Sequence, residues 1–235
     1  MTRFCRYQLR TTDIPAARAF YTAILGNAGF DIVPLPAQAA ALGAPAHWLG
    51  HLGVDDVEAS TRAFVERGAT QLGPTRRAAD GGQVAILRDP GGAVVALATP
   101  PSAPVRADIL WHQLHAADLP RAMSSYCDLF GWQLTTRADL GPLGVYQHFS
   151  WQAGGENVGS MAATSVLPGI HPHWLFHFHV AALDPALATA RAAGALVVRV
   201  TELPNGDRVA VCDDPQGAAF ALRERASVIH TSAAG

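Results

Sequence analysis

Four polar side chains recur as matched pairs along this chain: Gln8 with His51 in the first half, and Gln113 with His177 in the second. Each pair keeps its place relative to the same local motifs. Close by stand His115, His179, Trp111, Arg6 and Arg10. An imidazole titrates near neutrality, so His115, His177 and His179 carry the side chains that general acid or base chemistry needs. Gln8, Gln113 and His51 both donate and accept hydrogen bonds, which suits them to anchoring a polar ligand. Arg6 and Arg10 each offer a planar donor fork, to a carboxylate or phosphate, or to an Asp or Glu on a neighbouring strand.

Other chemistries lack their residues. No nucleophile elbow, phosphate loop, CxxC pair or dinucleotide fingerprint occurs, and Gly91-Gly92 sits in a hairpin connection with no helix after it. Cys5, Cys127 and Cys212 are an odd set without metal or disulfide spacing, which fits buried thiols in a reducing compartment. With 49% hydrophobic residues, 15% charged residues and a formal net charge of -2, the chain has no electrostatic footprint for nucleic acid or anionic membrane. No stretch approaches the roughly 20 apolar residues of a membrane span, and no basic start leads into an apolar run. The expectation is a cytoplasmic protein, monomer or homodimer, whose partner is a small molecule.

What must position these residues is a repeat. Tyr7 to Gly26 returns as His112 to Gly131, His47-Trp48-Leu49 returns as His173-Trp174-Leu175, and Asp89-Pro90-Gly91-Gly92 returns as Asp214-Pro215-Gln216-Gly217. The later pairs are offset by about twenty residues more than the first, so the second half carries extra chain between Gly131 and His173. The proline-rich stretch Thr99 to Pro104 separates the halves, giving domains of residues 1–102 and 103–235. Each half reads as two strand-helix-strand units. Strands are expected over Phe4–Arg10, Trp48–Val54, Val84–Arg88 and Ala93–Thr99, with helices over Val57–Arg67, Leu119–Leu129 and Asp184–Ala193. Between Phe30 and His47 there is room for two short strands at most, which predicts an incomplete sheet and a more open first cleft. The tail from Ala226 to Gly235 is expected to fray.

The order of these motifs, Asp-x-Pro-x-Ala-x-x-Phe-Tyr-x-x-x-Leu-Gly from Asp13, His-Trp-Leu from His47 and Asp-Pro-x-Gly from Asp89, repeated in both halves, resembles the vicinal oxygen chelate superfamily of glyoxalase I, bleomycin-resistance proteins and extradiol dioxygenases. The resemblance covers residues 4 to 224 and is greatest to tandem two-domain glyoxalase-like members. It implies an α+β fold of four βαβββ modules paired into two tandem domains, each a half-barrel around a cleft. In the family's metal enzymes the first strand of each module supplies His or Gln and the last strand Glu. Here those places fall on Arg6, Leu49 and Ala96, and on Trp111, Leu175 and Ala221, none of which is a suitable ligand.

Strand alternation places Arg6, Gln8 and Arg10, Leu49 and His51, Trp111, Gln113 and His115, and Leu175, His177 and His179 on the cleft faces. Three readings stand for the second cleft. Its polar residues anchor a small organic ligand, with Trp111, Trp132 and Phe176 or Phe178 as apolar walls; or they only bond one another and water; or three imidazoles hold a displaced divalent metal for a lyase or dioxygenase. Filling of that cleft by Trp111 and Phe178 would instead mark a regulatory scaffold. His47, His171 and His173 read as exposed or as corners, His148 has no assigned face, and Asp89 and Asp214 read as turn formers.

Overall fold

A computed structural model describes residues 1–26, 30–41, 43–102, 108–167 and 169–226. The last two residues of the predicted linker and nearly all of the predicted frayed tail lie outside those residues. The first half runs β1 (Phe4–Thr11), α1 (Ile14–Leu25), β2 (Asp31–Pro34), α2 (Ala37–Ala41), β3 (His47–Gly53), α3 (Val57–Glu66), β4 (Thr70–Gln71), β5 (Arg76–Arg77), β6 (Gln83–Arg88) and β7 (Val94–Ala98). The second runs β8 (Ile109–Ala116), α4 (Leu119–Phe130), β9 (Gln133–Asp139), β10 (Val145–Ser150), β11 (Gly159–Ala163), β12 (His173–His179), α5 (Leu183–Ala192), β13 (Leu196–Glu202), β14 (Arg208–Asp213) and β15 (Ala219–Glu224). No helix among the described residues is long and apolar enough to cross a membrane.

Helix starts follow from the sequence. Asp13 and Asp118 cap α1 and α4 by accepting the backbone N–H of Ala16 and Arg121, and Pro15 and Pro120 occupy first-turn positions where no donor is needed. Between helices the strands form an α+β arrangement of two sheets. The eight-stranded sheet has the order β13-β14-β15-β12-β8-β11-β10-β9, two four-stranded modules joined edge to edge through β8 and β12. The first-half sheet is built the same way around β1 and β3, but its first module contributes β1 and β2 alone. β2 runs parallel to β1 as β11 runs parallel to β8, so it takes the place of a last strand, and no hairpin intervenes among the described residues.

The sheets meet on the faces opposite their clefts. Phe4, Tyr7, Leu9, Trp48 and Leu52 join Leu114, Trp132, Trp174, Phe176 and Phe178 in one buried cluster. The Tyr7 hydroxyl donates to His112 Nε2 at 2.6 Å, and His112 Nδ1 donates to the Val158 carbonyl at 2.9 Å, so the imidazole is satisfied inside the core. At Gly50 the strand lacks a side chain because there is no room: a Cβ there would lie 2.5 Å from the Phe4 ring and 2.6 Å from the Phe176 ring.

Each half also grips the other through its turn aspartate. Tyr126 of α4 donates to Asp89 at 2.7 Å and accepts from Trp174 Nε1 at 3.2 Å; Tyr21 of α1 donates to Asp214 at 3.1 Å and accepts from Trp48 Nε1 at 3.0 Å. Asp89 and Asp214 are therefore more than turn formers. While one oxygen of each accepts the N–H of Ala93 or Ala218 to close the turn, the other bonds a tyrosine from the opposite half.

Candidate functional site: two clefts of unequal occupancy

In the first cleft the alternation of β1 turns Tyr7, Leu9 and Thr11 into the core and leaves Arg6, Gln8 and Arg10 half-buried on the other face. Register sets Arg6 opposite His51 and Gln8 opposite Leu49, while Asp31 and Val33 of β2 lie beside Gln8 and Arg10. With no hairpin among the described residues to fold over them, Arg6, Gln8, Arg10, Asp31 and His51 line a cavity of about 500 Å³ with Arg18 and apolar Phe30, Ile32, Val33 and Val84. Arg6 is ion-paired with Asp80 in the loop after β5. Arg10 uses only its Nε, donating to Gln8 Oε1 at 3.3 Å, and no carboxylate among the described residues pairs with it. Burial, then the nearby Arg76, lowers its pKa.

His51 is the anomaly of this cleft. It is 2% exposed, it lines the cavity, and neither of its ring nitrogens has a hydrogen-bond partner among the described residues. Burial, reinforced by Arg6 and Arg10, pushes its pKa down to about 3, so the imidazole is neutral at physiological pH. A neutral imidazole has one donor and one acceptor, and here both are unused.

The second cleft is arranged differently. Gln113 sits at its centre: its Oε1 accepts from His177 Nε2 at 3.1 Å and its Nε2 donates to His115 Nε2 at 2.9 Å. That orientation places the His177 proton on Nε2 and the His115 proton on Nδ1. Both rings are almost inaccessible, at 3% and 5% exposure, and burial drives the His115 pKa to about 3 and that of His177 well below its usual value. Trp111 donates to Ser160 Oγ at 3.0 Å and lies under the Arg223 guanidinium, 4.7 Å from its ring centre. Arg223 is itself buried and paired with Asp207 at 2.6 Å. Leu175, Val209 and Ala221 pack together on the same face, closing the far side with apolar groups. The middle of the cleft is thus occupied by the protein's own side chains.

Several sequence expectations need correction. Phe176 and Phe178 alternate with His177 and point into the core between the sheets, as does Trp132, so none of the three is a cleft wall and Phe178 does not fill the cleft. His179 lies at the end of β12, where its Nδ1 meets Asp108 at 3.2 Å, apart from the His177–Gln113–His115 chain. His173 is no exposed corner: it opens β12 opposite His115, with ring centres 4.9 Å apart. His148 faces this cleft, its ring edge-on to Trp111 at 5.2 Å. Asp31, Arg223 and Asp207 were missed; only the strand register reveals them.

Residues 109–222 match the Glyoxalase/Bleomycin resistance protein/Dioxygenase superfamily model. The second half of the chain is therefore a domain of this superfamily. Among curated relatives of this glyoxalase-like chain is CFP32 of Mycobacterium tuberculosis, provisionally named a glyoxylase, 28% identical over 245 residues that span 91% of each protein. The Mn(II)-bound glyoxalase of Novosphingobium aromaticivorans superposes with a TM-score of 0.65 at 11% identity, over 97% of this chain and 84% of that one. Homoprotocatechuate 2,3-dioxygenase of Brevibacterium fuscum, in complex with 3,4-dihydroxyphenylacetate, does so with 0.64 at 13%, over 96% and 81%. At such identities the likeness is one of fold.

A divalent ion such as the Mn(II) of that glyoxalase does not fit the side chains here. Arg6 is a cation committed to Asp80, Trp111 is a donor lying under a second buried cation, Arg223, and Leu49, Leu175, Ala96 and Ala221 offer no lone pair. Among the described residues no group of three or more His, Cys, Asp or Glu is placed to hold a metal, the set of His115, His177 and His179 included.

Proposed function

We propose that this glyoxalase-like chain binds a small organic molecule in its first cleft, using its own polar side chains where metal-dependent relatives use an ion. The observation that carries this is His51. A buried imidazole with both nitrogens unpartnered forgoes roughly 1–3 kcal/mol per unsatisfied group, a cost that a bound ligand would remove. Its setting suits a ligand: a cavity of about 500 Å³ falls within the range of small-molecule pockets, and it combines an apolar wall with a few convergent polar groups.

The second cleft supports a structural role better. Gln113, His115, His177, Trp111, Arg223, Asp207 and Ser160 already bond or stack on one another there, and each of the two imidazoles leaves only its Nδ1 without a partner among the described residues, where His51 leaves both nitrogens. The test is a thermal-shift screen of small organic compounds on the wild type, His51→Leu and Gln113→Leu. Compounds that stabilise the wild type should fail on His51→Leu and still act on Gln113→Leu. The opposite pattern would move the site to the second cleft, and absence of any stabilising compound would remove the proposal.

A further inference from the structure

The charges around the first cavity are out of balance. Four guanidiniums, Arg6, Arg10, Arg18 and Arg76, share this region with two carboxylates, Asp31 and Asp80, and Asp80 is held by Arg6. Arg10, Arg18 and Arg76 have no carboxylate partner among the described residues; Arg18 and Arg76 are exposed, whereas Arg10 is half-buried with both terminal amino groups uncommitted. A partly desolvated guanidinium in this state is stabilised most by a planar anion that takes two parallel N–H bonds. A single such fork, beside the apolar Phe30, Ile32, Val33 and Val84, fits a singly charged group on an apolar body better than a phosphate dianion, whose three oxygens would need further donors.

We infer that the ligand of the first cleft is a small monocarboxylate with an apolar body, its carboxylate on Arg10 and a neutral polar substituent within reach of His51. This rests on the first-cleft reading above and adds the ligand's chemical class. Neutrality of His51 matters to the arrangement, because the imidazole then offers the carboxylate no competing charge and leaves it to Arg10, which fixes the direction in which the molecule lies.

The probes are phenylacetate, its neutral isostere phenylacetamide, and phenyl phosphate, each carrying a para hydroxyl as the neutral polar substituent, titrated against the full chain while the ring ¹⁵N resonances of His51 are followed. They are assigned by comparison with His51→Leu. Phenylacetate is expected to bind at least tenfold more tightly than phenylacetamide and to move the His51 signals. Arg10→Gln should abolish that preference without weakening phenylacetamide, and Arg10→Lys should retain part of it. Equal binding of acid and amide to the wild type, or stronger binding of phenyl phosphate, overturns the carboxylate assignment while shifts at His51 still uphold the first-cleft reading. If none of the three moves the His51 signals, the inference falls, and the first-cleft reading then depends on the broader screen.

Discussion

Lowering the pH from 7 to 5 should destabilise this protein steeply, because its histidines are buried in their neutral form. The pKa values of His51, His112 and His115 are pushed by burial from 6.5 to about 3, about 4 and about 3. Depressed values in the folded state mean that the stability each ring contributes is intact above pH 6.5 and is lost as the pH falls toward the folded value. At pH 5 the unfolded rings are almost fully protonated and the folded ones are not, so each costs about 2 kcal/mol relative to pH 7, or about 6 kcal/mol for the three. His177 adds in the same direction. Asp89 opposes them: burial raises its pKa from 3.8 to about 6, so its stabilisation is lost as pH rises through 6 and partly returns on acidification. That return is about 1 kcal/mol, leaving a net loss of about 5 kcal/mol, comparable to the entire stability of many domains. Urea unfolding at the two pH values and constant ionic strength measures it, and His51→Leu should reduce the pH response by about 2 kcal/mol. A loss below about 1 kcal/mol, or uptake of fewer than one proton on unfolding at pH 5, would refute the reasoning.

Other consequences can be checked in the same preparations. Tyr126→Phe strips the Asp89 carboxylate and the Trp174 N–H of a shared partner, and should cost about 1–3 kcal/mol in urea unfolding; Tyr21→Phe, at the matching grip, should cost a similar amount. Asp207→Ala leaves the Arg223 cation buried over Trp111 without its anion and should lower stability by about 3–5 kcal/mol, whereas Asp184→Ala, at the exposed Arg208 pair, should leave it nearly unchanged. Chelation with EDTA should leave the binding constant of any first-cleft ligand unchanged in calorimetry, since no donor set at the family's positions can hold an ion.

Much of this was legible in the sequence because period-two alternation and a repeat are local signals. The facing of Arg6, Gln8, Arg10, His51, Gln113 and His177 followed from alternation alone, with the repeat supporting the pairing. The same alternation excludes Phe176 and Phe178 as cleft walls, since along β12 they fall between Leu175, His177 and His179 and so point to the opposite face. Partnerships were not legible. Arg223 and Asp207 lie 16 residues apart, and Arg223 reaches Trp111 from another module, so only register could bring them together. Nor could composition show that Gln113 spends both ends of its amide on histidines while His51 has no partner among the described residues. That difference depends on which strands are present beside each pair.

The contact between Gly50 and Phe176 distinguishes two halves that otherwise mirror each other. These residues hold equivalent places in the repeat, Trp48-Leu49-Gly50-His51 against Trp174-Leu175-Phe176-His177, and one supplies the ring that occupies the room the other leaves. Two copies of the first half would face each other across a void, and two copies of the second would set ring against ring. If the halves were made as separate polypeptides, each should therefore choose its unlike partner over a copy of itself. Joined in one chain, neither half has to serve as both sides of the same joint, and their clefts are free to differ, one packed shut and one left open.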